Sequence, residues 1–156
     1  MSAAPNVDCT VEIGAGPARV FAAFFEPATL RTWWLVARSV TTPRTLGVYA
    51  VQWETTPFHD DVLGPLGGVL HGTVIDVRPS LSFFVADVYW IPPEGDPIGP
   101  MALDVTCGLV GASTRLRVQL RGFEESLRWR RYYELFREGL GSSLERLKAH
   151  LEGARA

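Results

Sequence analysis

Residues 126–151 constrain this chain most. Apolar side chains fall at Trp129, Tyr132, Tyr133, Phe136, Leu140, Leu144, Leu147 and Leu151, in steps of three and four that keep one stripe in line at the period of an α-helix. A stripe of that length must be buried against something. The ends fit a helix: Ser126 can cap the first amides, Glu124 and Glu125 precede the positive end of the dipole, Lys148 lies near the negative end and Gly153 can stop the last turn.

What precedes this helix reads mostly as strand. Val7, Cys9, Val11 and Ile13 alternate with Asp8, Thr10 and Glu12, as in a half-buried strand. Gly16-Pro17 then opens a short helix through Phe25, and Pro27 starts another that ends near Trp33, since proline suits the first helical turn. From Leu35 to Arg121 the period stays near two, broken by Thr42-Pro43, Pro79-Ser80, Pro92 to Pro100 and Gly111-Ala112, which gives about six more antiparallel strands. The expected fold is α+β, in one domain over residues 1–156: a curved antiparallel sheet of about seven strands around the last helix, with two short helices after strand one.

Turn arithmetic gives registers. A two-residue turn at Gly111-Ala112 sets Cys107 opposite Leu116, Val105 opposite Val118 and Leu103 opposite Leu120, all apolar pairs. The same rule at Pro79-Ser80 sets Ile75 opposite Phe84, Thr73 opposite Ala86, His71 opposite Val88 and Val69 opposite Trp90. That places His71 and Phe84 on the more apolar face, an assignment an odd-length turn would invert. Tyr49, Val51 and Trp53 share a face, which turns Trp53 inward.

Composition excludes several functions. Fifteen basic against seventeen acidic residues give a net charge of -2, so no excess of positive charge draws the chain to nucleic acid or anionic lipid. No apolar run reaches the ~18 residues of a membrane span, and Met1 to Cys9 lacks the pattern of a signal peptide. A cytoplasmic location is expected, with Cys9 and Cys107 as buried thiols rather than a disulfide. No P-loop, Gly-x-Gly-x-x-Gly, Cys-x-x-Cys or serine elbow is present, and no metal or cofactor is expected.

Ala15-Gly16-Pro17-Ala18-Arg19-Val20-Phe21, with Phe24, Pro27, Leu30 and Trp33-Trp34, resembles the opening of the START-like helix-grip (SRPBCC) superfamily. Within it, the chain resembles proteins related to the activator of the heat-shock chaperone ATPase. Gly72 to Pro79 resembles the family's "G-x-V-x-x-V-x-P" segment. Glu138-Gly139-Leu140-Gly141, with Leu144, Leu147 and Leu151, is similar to its ending, with Leu140 in place of the usual tryptophan. The resemblance implies a cavity between sheet and long helix, which various members use to hold apolar molecules, cyclise polyketides or contact a chaperone. The shared fold does not choose among these and carries no catalytic residue onto this chain.

The residues suggest a ligand site. Trp53, Phe84, Trp90, Tyr133 and Phe136 are expected as walls of the enclosed space and His71 as its polar anchor. The competing reading for each ring is ordinary core, and for His71 a histidine satisfied by a neighbour. His59-Asp60-Asp61 reads as a solvated loop, and the Pro92 to Pro100 loop as a cover for the cavity mouth. Arg128, Arg130 and Arg131, with Arg115, Arg117 and Arg121, form a cluster suited to an acidic protein surface or an anionic group.

Binding of a small, mostly apolar molecule therefore ranks first. Behind it stand a cyclase- or hydrolase-like enzyme with His71 or a helix tyrosine as acid or base, and a protein-interaction module. Paired acid and base groups are lacking, which ranks catalysis below binding. Phe83, Val85 and Tyr89, on the face expected to be outer, suggest a homodimer surface.

Overall fold

A computed structural model describes residues 6–153. Strand β1 (Val7–Ile13) is followed by helices α1 (Pro17–Ala22) and α2 (Pro27–Trp33). Then come β2 (Arg38–Thr41), β3 (Val48–Trp53), and a small hairpin of β4 (His59–Asp60) and β5 (Gly64–Pro65). Four long strands complete the sheet: β6 (Gly68–Arg78), β7 (Ser82–Ile91), β8 (Ile98–Val110) and β9 (Ser113–Arg121). Helix α3 (Leu127–Gly153) closes the described chain. Seven strands form one antiparallel sheet in the order β1-β9-β8-β7-β6-β3-β2, so the expected α+β architecture holds.

Local chemistry sets the elements. Pro17 and Pro27 stand in the first turns of α1 and α2, where a missing N–H costs no helical hydrogen bond. The Ser126 hydroxyl accepts from the Trp129 amide at 3.1 Å and so caps α3. Leu140, Leu144, Leu147 and Leu151 of α3 are all buried, and each contributes about 2 kcal/mol of apolar burial. The far end of α3 is tied to β1, since Glu152 accepts from the Gly14 amide at 2.7 Å and Lys148 donates to the Glu12 carbonyl at 2.8 Å.

A dense aromatic core lies beneath α1 and α2. Phe24 meets Trp33 edge-on at 4.9 Å, and Phe25 meets Phe83 at 4.8 Å, geometries favoured by the ring quadrupoles. The Tyr49 hydroxyl donates to the Phe24 carbonyl at 2.8 Å and the Trp33 indole to Ala23 at 2.9 Å, so these polar tips are satisfied inside.

The β8–β9 hairpin has the expected register, with Cys107 opposite Leu116, Val105 opposite Val118 and Leu103 opposite Leu120. The β6–β7 hairpin does not. Its turn leaves three residues between Arg78 and Ser82, and two irregularities break the ladder, one between Val74 and Asp76 and one between His71 and Thr73. Only Thr73 opposite Ala86 survives of the expected pairs; Asp76 faces Phe84, His71 faces Tyr89 and Leu70 faces Trp90. The second irregularity includes Asp87, whose φ of 52° is left-handed. It switches the phase of β7, so the buried residues run Phe83, Val85, then Val88, Trp90. Gly72 sits at this crossing, where an added Cβ would come within 2.7 Å of the Ala86 carbonyl oxygen, too close for any side chain.

Two expectations fall with that register. His71 and Phe84 lie on the sheet face away from α3. Phe83 and Val85 are core, 2% and 1% exposed, and supply no outer homodimer surface. Cys9 and Cys107 are free thiols on β1 and β8, which β9 separates. That spacing is about 10 Å, beyond disulfide reach.

Candidate functional site

Between α3, the end of β3 and the segment spanning residues 54–67 lies a cavity of about 340 Å³, within the size range of small-molecule sites. Trp34, Trp53 and Trp90 form its aromatic wall, Leu135, Phe136 and Leu140 its helix wall, and Leu63 and Leu66 come from the segment opposite. The Trp53 indole donates to the Trp34 carbonyl at 2.8 Å, and that of Trp90 to the Gly67 carbonyl at 2.9 Å. Both polar edges are thereby satisfied by backbone, which leaves the ring faces for apolar contact.

Small residues make up part of the helix wall. Gly139, Ser142 and Ser143 line the cavity beside the leucine stripe, and a Cβ added at Gly139 would meet nothing within 4 Å. At the mouth, α2 ends on Leu35, whose φ of 58° lies where glycine is usual and whose side chain is 58% exposed. A leucine there costs about 1 kcal/mol of backbone strain and places an apolar side chain on the rim.

Six polar side chains also line the space: Glu54, Thr56, Tyr132, Ser142, Ser143 and Arg146. Tyr132 is 5% exposed and stacks on Trp90 at 4.9 Å. Its hydroxyl makes no hydrogen bond among the described residues, and burial raises its pKa, so it remains a protonated donor at neutral pH. The Arg146 guanidinium donates through Nε to the Trp33 carbonyl at 3.1 Å and through Nη2 to the Ser143 hydroxyl at 2.9 Å.

The β4–β5 hairpin is latched to α3. Asp60 is only 3% exposed; one carboxylate oxygen accepts from the Val62 and Leu63 amides at 3.0 and 2.9 Å, and the other from Arg131 Nε at 2.8 Å. Burial opposes ionisation of Asp60, but those amides and Arg131 outweigh it and hold its pKa below the ordinary value. The His59 to Asp61 stretch is thus not simply a solvated loop. The loop expected to cover the mouth, Pro92 to Pro100, instead docks on the start of α3, where Arg128 donates to the Asp96 carbonyl at 2.8 Å.

Of the six residues proposed from sequence, Trp53, Trp90 and Phe136 come together on the cavity. Tyr133 lies on α3 beside a separate depression with Phe123 and Arg137. His71 stacks on Tyr89 at 6.1 Å on the opposite sheet face, and Phe84 shares that outward phase of β7. Sequence reasoning missed Trp34, Ser143 and Arg146. Only Arg146 carried a signal, its spacing: Leu135, Gly139, Ser142 and Arg146 step by four, three and four along the flank of the apolar stripe. The arginine cluster is largely self-neutralised, since Arg115 pairs with Glu12, Arg117 with Asp8, Arg121 with Asp104 and Arg130 with Glu125.

A curved antiparallel sheet gripping a C-terminal helix defines a helix-grip protein of the START-like class. Residues 15–152 match the model of the family described as "Activator of Hsp90 ATPase homolog 1-like protein", and the chain belongs to that family. Solved structures agree on the fold. Protein MLL2253 from Mesorhizobium loti is 21% identical with a TM-score of 0.71, covering 95% of this chain and 97% of its own. The AHSA1 protein from Silicibacter pomeroyi is 18% identical with a TM-score of 0.70, covering 95% and 98%. The Aha1 dimer from Colwellia psychrerythraea is 16% identical with a TM-score of 0.64, covering 96% and 97%. Comparison with curated protein sequences finds no match. No helix among the described residues is long and apolar enough to cross a membrane.

Proposed function

We propose that this protein binds a small, mostly apolar molecule in the cavity between α3 and the sheet, without transforming it. The observation that carries this reading is the wall of Trp34, Trp53 and Trp90 facing a hollow of about 340 Å³. Of the groups named for the catalytic alternative, His71 lies on the other sheet face, which leaves it only the helix tyrosine Tyr132 on the cavity. The interaction-module reading draws on the family's description and on the Colwellia dimer, but the arginines once offered for it are mostly paired. That dimer also supports a homodimer here, readable by sedimentation velocity on the same sample. A cytoplasmic place belongs to the same reading, supported by the two free thiols.

The test is titration with N-phenyl-1-naphthylamine, an uncharged dye whose emission rises in apolar surroundings. Saturable one-to-one binding, weakened about tenfold or more by Trp53→Ala, is the expected result. Emission that never saturates, or that ignores the substitution, would reject the cavity as a site.

A further inference from the structure

We infer that the molecule held in the cavity carries an anionic oxygen group, of the carboxylate kind, that docks on Arg146 at the mouth; this rests on the cavity reading above. Arg146 is the one cation on the lining. It has no ion pair among the described residues, whereas Arg115, Arg117, Arg121, Arg130 and Arg131 each hold a carboxylate. Its position is fixed by the Trp33 carbonyl and the Ser143 hydroxyl, so little side-chain freedom remains to be lost when a ligand arrives.

The donor inventory points the same way. A guanidinium has five N–H donors; one on Nε and one on Nη2 are engaged, which leaves both on Nη1 and the second on Nη2. Those hydrogens form the fork that takes a planar oxyanion through both oxygens. The Ser143 hydroxyl accepts from Arg146 and keeps its own hydrogen for the same group. A structural clamp on the Trp33 carbonyl would need only a neutral donor, so the charge itself is left without a role in the fold. Glu54, the other charged group on the lining, is exposed like Arg146 but is held by no hydrogen bond or ion pair among the described residues. The fixed charge at the mouth is therefore positive. With apolar walls behind it, the complementary ligand is an amphipathic anion whose head stays at the rim.

The experiment compares two dyes that differ only in a sulfonate: N-phenyl-1-naphthylamine and 8-anilinonaphthalene-1-sulfonate. The sulfonate is expected to bind tighter, by a margin that shrinks with added salt. Arg146→Gln, which keeps a donor for Trp33, is expected to weaken the sulfonate about tenfold while the neutral dye stays within about twofold. If the neutral dye binds but Arg146→Gln weakens both dyes alike, or neither, Arg146 is only a clamp and the inference falls while the cavity stands. If neither dye binds the wild type, cavity and inference fall together. Should the glutamine variant lose its native near-ultraviolet dichroism, Arg146→Lys takes its place. It keeps the charge without the fork, so it must retain part of the preference for the sulfonate, and loss of all of it overturns the inference.

Discussion

Tyr132 shows how a single residue can be well placed for binding and poorly placed for stability. Its ring is stacked on Trp90 and buried, yet its hydroxyl donates to no described group. Removing a hydroxyl that holds no described partner deletes no hydrogen bond within the fold. Tyr132→Phe is therefore expected to leave the urea midpoint unchanged or slightly raised, within about 0.5 kcal/mol; a loss near 2 kcal/mol would show that the hydroxyl holds the fold. Trp53 was legible in the sequence because β3 alternates without interruption. Phe136 was legible because the stripe of α3 never breaks, and the same stripe misled at Tyr133, one residue off its centre. Arg146 was illegible because arginine on a helix flank normally faces water, and only the fold brings the Trp33 carbonyl beside it.

Among the elements, the β4–β5 hairpin depends on one carboxylate. The Asp60 pKa is depressed in the folded state, so its ionised form stabilises the fold at every pH above the ordinary value of 3.8. That contribution is lost as pH falls from there through the folded value. Asp60→Asn is expected to cost about 2 kcal/mol at neutral pH. Urea titrations of both proteins should show the gap narrowing once pH drops below 3.8; a gap that persists unchanged in acid would contradict the latch. The β6–β7 pair explains why the sequence misplaced His71 and Phe84. Strand alternation carries no mark of an extra residue, so a bulge inverts every assignment beyond it. Asp87 tolerates a left-handed φ better than most residues, but as one polar residue in a strand it is a weak signal.

At the scale of the molecule, the order of elements was legible except for the small β4–β5 hairpin, which read as loop. Periodicity, proline punctuation and the long terminal stripe all follow from local geometry. The cavity's extent was not, because it arises where three elements fail to close on one another. The thiols report on the whole assembly. Burial pushes the Cys107 pKa up to about 11, and the side chain is buried in the sheet, so its reactive thiolate is both scarce and sheltered. In Cys9→Ser, labelling of Cys107 by a disulfide reagent at pH 8 is expected to run no faster than global unfolding and to accelerate with urea in step with it. Rapid labelling of the native protein would reveal local opening of β8. Three of the five tryptophans, Trp34, Trp53 and Trp90, stand on the cavity wall. Much of the chain's own ultraviolet emission therefore originates at the site, and the protein carries a built-in optical gauge of whatever occupies it.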